Sequence, residues 1–93
     1  MHIQLEEFDT KGRAFVKENG ETKAEMTFSK AGATMLIVDH TDVSEDLRGT
    51  GVGKLLLRKI VDLARTHQLK ILPLCPFAKS VFDKDATLSD VLR

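Results

Sequence analysis

The chain has 93 residues, fourteen acidic and fourteen basic side chains, and a hydrophobic fraction of 42%. That length leaves room for a single domain, residues 1–93, and the balanced charge argues against nucleic acid or an acidic membrane surface as partner. Short apolar runs exclude a transmembrane helix, "MHIQLEEFDT" is too polar for a secretory signal, and one cysteine forbids an internal disulfide, so a cytoplasmic monomer is expected.

Residues 2–8, "HIQLEEF", alternate loosely and predict an edge strand. "GRAFVKE" and "ETKAEMTF" flank Asn19-Gly20, a strong hairpin signal, with Ala24, Met26 and Phe28 on one face. "ATMLIVDHTDV" is nearly continuously apolar at its start, as a strand near the middle of a sheet would be. After Gly53 the period changes: Leu55, Leu56, Ile60, Leu63 and Ala64 follow helical spacing, with Lys54, Arg58, Lys59, Asp62 and Arg65 opposite. The helix is predicted from about Gly51 to His67. "KILPL" reads as a short strand, Pro76 suits the first turn of a helix over "PFAKSVFDK", and "TLSDVLR" closes with a short helix. The order β-β-β-β-α-β-α-α predicts an α/β (α+β) sandwich: a mixed, mostly antiparallel sheet of about five strands, one long helix and one or two short C-terminal ones.

The segment "DLRGTGVGKLLL" places Gly49, Gly51 and Gly53 between a buried strand and the start of the long helix. Free N–H groups and the positive end of the helix dipole meet there, and glycine admits both positive φ and close approach of a ligand. The pattern is that of an anion site, most naturally for phosphate; the alternative is an ordinary strand-to-helix turn. A P-loop fails at Arg48 and Leu55, and the dinucleotide fingerprint fails at Lys54. R-x-x-G-x-G remains, filled by Arg48, Gly51 and Gly53.

This segment resembles the acetyl-CoA pyrophosphate loop of the Gcn5-related N-acetyltransferases. "VSEDLRGTGVGKLLLRKIVDLARTHQLKILPL" is similar to that family's central strand, loop, helix and following strand, and "LCPF" is similar to a motif of its small YjdJ-like members in bacteria. The resemblance implies an abbreviated fold of that type. Pyrophosphate would lie on the backbone of Gly49, Thr50, Gly51, Val52 and Gly53, with Arg48 and Lys54 adding charge. Pantetheine would lie between the diverging strands and pair with main chain at Asp42 and Val43. The thioester would end near His40 or Cys75.

Cys75 precedes Pro76 and falls at a helix N-cap, where a thiolate is favoured and could accept acetyl; a small buried hydrophobe is the plainer reading. His40 alternates with Leu36 and Val38, so it is expected to point inward, as a base or as a structural histidine. His2 and His67 read as surface residues, and no spacing of histidines and cysteine suits a metal. Asp39, Asp42, Glu45 and Asp46 offer either a general base or plain loop charge.

Two departures from the family pattern stand out. The chain has no tyrosine, whereas larger relatives carry a tyrosine general acid in the region of Phe82. It also begins directly with a strand, so the cofactor half is expected to be intact and the acceptor half abbreviated. The expected function is acetyl transfer from acetyl-CoA to an unidentified amine, of which a protein amine is one candidate, either by direct attack of the amine or by way of Cys75 as a relay. The alternatives are a non-catalytic acetyl-CoA or CoA-binding module acting through a partner protein, and a nucleotide-binding fold without CoA.

Overall fold

Asn19 and Gly20 both take positive φ, 54° and 78°, and turn the chain between β2 (Lys11–Glu18) and β3 (Glu21–Ala31), as an Asn-Gly pair requires. In the computed structural model, which describes residues 1–93, this hairpin is extended by β1 (Gln4–Phe8) on one side and β4 (Met35–Val43) on the other. All four strands are antiparallel neighbours in chain order. A 3₁₀ turn over Glu45–Leu47 leads to α1 (Val52–His67), and α1 leads to β5 (Lys70–Pro73), which joins β4 in parallel. Then come α2 (Pro76–Lys84), with Pro76 in its first turn, and a 3₁₀ segment over Ala86–Val91. The five-stranded mixed sheet with one long helix is the architecture expected from the sequence.

Both helices pack on one face of the sheet. Val52, Leu56, Leu57, Ile60, Val61 and Ala64 of α1 and Ala78, Val81 and Phe82 of α2 join Ala14, Val16, Ala24, Met26, Phe28, Leu36, Val38 and Ile71 in one buried cluster. The buried stripe of α1 differs slightly from the sequence expectation. Leu55 is 46% exposed, because Val52, Leu57 and Val61 fill the inward positions beside Leu56 and Ile60. The other face of the sheet carries no helix. There Arg13 bridges Glu6 and Glu25, at 3.1 and 2.9 Å, and lies over the Phe15 ring.

A bulge in β4 decides which side chains reach the helical side. Phe28 pairs with Val38 but Thr27 pairs with His40, so Asp39 is an extra residue. One added residue inverts the alternation beyond it. His40 therefore turns to the bare face and is exposed, and Thr41 takes the inward position expected for it. The parallel pairing of β4 with β5 runs only from Met35 to Val38, so the strands separate at the bulge.

Candidate functional site

Beyond Val38 the β5-facing edge of β4 has no strand beside it. Leu74 N–H and Cys75 N–H both donate to the Val38 carbonyl, at 3.0 and 3.1 Å, and close the apex of the gap. Ser44 N–H donates to Lys23 on β3, so strand alternation turns the backbone groups of Val43 and Thr41 towards the gap. Those of Asp42 face β3, and its side chain is exposed on the far face. Of the main-chain partners expected from the sequence, Val43 lines the cleft and Asp42 does not, because it lies on the other phase of the strand.

The loop after β4 forms the mouth. Gly49 and Gly51 have φ of 81° and 82°, a conformation that costs other residues strain. A Cβ at either would meet nothing within 4 Å, so their requirement is conformational. Gly53 has a different reason: the Phe77 ring occupies the place of its missing side chain. The N–H groups of Gly49, Gly51, Val52, Gly53 and Lys54 donate to no acceptor in the chain, and they cluster where the α1 dipole is positive. Thr50 does not join them. Its N–H and hydroxyl both donate to the Leu47 carbonyl and tighten the turn instead.

Thr41, Val43, Leu47, Arg48, the loop glycines and Phe77 enclose a cleft of about 310 Å³. Arg48 is exposed, and its Nε donates to the Val43 carbonyl at 3.3 Å, which holds the guanidinium over the mouth. Lys54 supplies a second cation from the first turn of α1. At the apex, Cys75 is buried at the N-cap of α2, with Sγ 3.0 Å from Thr41 Oγ1 in hydrogen-bond contact.

Two of the four carboxylates before the loop are engaged elsewhere. Asp39 accepts from Ser29 Oγ at 2.6 Å. Asp46 accepts from Ser44 Oγ and Lys23 Nζ, and these bonds hold its carboxyl below the usual range. The β4 bulge keeps His40 away from Cys75, whose side-chain partner is Thr41 instead. Thr41 and Phe77 escape a reading of the sequence alone. A bulge moves the first into place, and the second lies opposite Gly53 only once α1 and α2 pack.

The sequence profile of a family described as GCN5-related N-acetyl-transferase matches residues 13–91. This chain belongs to the GCN5-related N-acetyltransferase family. A GCN5-like family relative from Staphylococcus aureus, solved by NMR, is 36% identical, covers 97% of this chain and 87% of its own, and superposes with a TM-score of 0.73. Two longer structures share the fold. The ribosomal-protein-alanine N-acetyltransferase of Brucella melitensis biovar Abortus 2308 is 20% identical over 81% of this chain and 60% of its own, with a TM-score of 0.67. The IAA acetyltransferase of Bacillus cereus ATCC 14579 is 22% identical over 69% and 43%, with a TM-score of 0.59. None of the curated proteins matches the sequence. The acetyltransferase fold thus extends over nearly the whole chain, which spans about 60% and 43% of these two longer enzymes.

Proposed function

We propose that the chain binds acetyl-CoA as co-substrate and transfers its acetyl group to an amine, with Cys75 as an acyl carrier. The observation that carries this reading is the continuity of three features along one cleft. Unpaired N–H groups ring the mouth, a strand edge without a neighbouring strand forms the wall, and a buried thiol touches the lining residue Thr41 from behind.

Each feature suits one part of acetyl-CoA. The pyrophosphate fits the N–H groups of Gly49, Gly51, Val52, Gly53 and Lys54, with Arg48 and Lys54 offsetting its charge. The pantetheine amides suit the edge groups of Val43 and Thr41. Cys75 Sγ then adds to the thioester carbonyl, the carbon–sulfur bond to CoA breaks, and the thiol proton passes to the departing CoA thiolate. In the second half the amine nitrogen attacks the acetyl-cysteine. The amide forms as the carbon–sulfur bond to Cys75 breaks, and the amine proton passes to the released Cys75 thiolate. Thr41 Oγ1 is within reach to hold the sulfur in either state. No tyrosine is needed, because CoA and cysteine exchange the proton between thiols.

The acceptor in this reading is an amine presented on another protein. Exposed Leu74 and Phe77, 61% and 38% accessible, flank the start of α2 and suit a broad contact. A non-catalytic acetyl-CoA-binding role has one observation in its favour: His40, Asp39 and Asp42 all face away, so no imidazole or carboxylate assists in the cleft. Intact-mass spectrometry after mixing with acetyl-CoA decides between them. The relay predicts one added acetyl group, mapped to Cys75 and lost in Cys75→Ala. Binding with no covalent acetyl at any time point would remove the relay, and release of free CoA on adding an amine acceptor would then separate direct transfer from the binding role.

A further inference from the structure

On the helix-free face of the sheet, cations and carboxylates lie on opposite sides of β3. There β2 presents Lys11 and Arg13, and β4 presents Asp39, His40 and Asp42, all three exposed. Arg13 is held by Glu6 and Glu25, whereas Lys11 and Asp39 are exposed and belong to no ion pair. The one side chain bonded to Asp39 is the Ser29 hydroxyl. The flanks of the face are apolar. Phe8 on β1 pairs directly with Lys11, so it shares that face, and it is 60% exposed. Leu72 on β5 alternates with the buried Ile71 and points to the same side. The balanced charge of the chain, which argues for a monomer, is thus made of opposite signs gathered on different strands.

We propose that two copies of the chain meet through this face, about a two-fold axis that runs along β3. Such an axis lays β2 of one copy over β4 of the other, and β1 over β5. Lys11 pairs with Ser29 and Ser29 with Ile37, so Lys11 stands level with Ile37, two residues along β4 from Asp39. Its ammonium therefore meets Asp39 of the partner subunit, and Phe8 meets Leu72 of the partner subunit. Both contacts occur twice. Thr27 and Ser29 lie on the axis and are small enough for the sheets to approach, and Glu25 beside them is neutralised by Arg13. An unrelated partner would have to match the charged strands and the apolar flanks separately, whereas a second copy matches both by symmetry. Five strands about 4.8 Å apart make a face roughly 20 Å across, whose accessible area approaches the about 800 Å² per partner of a stable interface. Both helices pack on the opposite side of the sheet, so the cleft at the α1 N-terminus stays open in the dimer.

Sedimentation equilibrium of the full chain over a range of concentrations tests the contact. The mass is expected to rise from 10.4 kDa towards twice that value as the concentration increases. Lys11→Glu and Asp39→Lys each set like charges against one another, and each should weaken the dimer at least about tenfold. Combined in one chain, the two reversals restore opposite charges across the axis and should recover most of the affinity. Both positions are exposed, so the fold should tolerate either change. Phe8→Ser should weaken the dimer with no such rescue. A monomer at every concentration would overturn the proposal and leave the face to a different occupant. A dimer indifferent to Lys11→Glu and Asp39→Lys, or a double variant no tighter than the single ones, would overturn it equally. Either result leaves the acetyl-CoA reading untouched.

Discussion

The Phe77 ring lies where a side chain on Gly53 would be: its Cζ is 2.6 Å from the position of a Cβ. This contact joins the first turn of α2 to the first turn of α1 beside the glycine loop. Gly53→Ala must push the ring away, and the ring is 38% exposed and free to swing outwards. Alanine also gains up to about 1 kcal/mol over glycine within a helix. The two effects nearly cancel, so stability should stay within about 1 kcal/mol of wild type in a denaturant titration. Affinity for acetyl-CoA should fall, because the displaced ring no longer lines the cleft beside the loop. A variant that binds normally would show that the ring position is incidental.

Gly49 and Gly51 call for the opposite pattern. Space is available at both, and positive φ is the obstacle. Gly51→Ala should cost about 1–2 kcal/mol, seen as a drop in Tm of roughly 5–15 °C. Gly51→Asn should cost less, since asparagine tolerates the left-handed region. Equal losses for the two variants would point to a steric cause that the backbone does not reveal.

The hairpin, the loop and both helices were legible in the sequence because each rests on local chemistry. Asn19-Gly20 sets its own turn, Pro76 begins its own helix, and Gly49 and Gly51 carry their own φ. His40 faces the side opposite to the expected one because its orientation depends on pairing with β3, where Asp39 is left without an opposite residue. No glycine or proline in β4 announces that bulge. Leu55 lies outside the buried stripe because helical period fixes a stripe only to within one position, and Val52, Leu56 and Leu57 take the inward places. The Gly53–Phe77 contact and the C-terminal bridge of Leu92 to Ile71 join distant segments, which no local pattern encodes.

Thr41 Oγ1 is the polar side-chain partner of Cys75 Sγ, at 3.0 Å. Thr41→Val keeps the shape and removes the hydroxyl. A neutral hydrogen bond of this kind contributes about 1 kcal/mol, so the fold should survive. A bond to a charged sulfur is stronger, and the rate of acetyl uptake by Cys75 should drop about tenfold. Thr41→Ser should restore most of it. Stopped-flow quenching followed by intact-mass analysis measures that rate, and uptake unaffected by valine would remove Thr41 from the chemistry.

Acid should loosen the C-terminal segment first. Arg65 donates to both carboxylate oxygens of Asp90, at 3.0 and 2.9 Å, and to the Thr87 carbonyl at 2.9 Å; Lys70 donates to the Asp90 carbonyl. The Arg65 bonds, chiefly, hold the Asp90 carboxyl below its usual range, and Lys70 acts in the same direction. A carboxyl whose folded-state pKa is depressed contributes stability that is full above its unfolded value, about 3.9, and is lost as pH falls from there through the lower folded value. Arg65 is shifted upwards and stays charged throughout, so the window belongs to the carboxylate. Between pH 5 and 8, roughly, this contact should contribute no pH dependence. Below about pH 4 the amide resonances of Leu88, Leu92 and Arg93 should move before those of β2 and β3. Asp90→Asn should imitate the acid state at pH 7 and reduce amide protection of Arg93, whose N–H donates to the Ile71 carbonyl at 3.0 Å. Full protection of Arg93 in that variant would show that Leu88 and Val91, buried in the core, hold the segment without the ion pair.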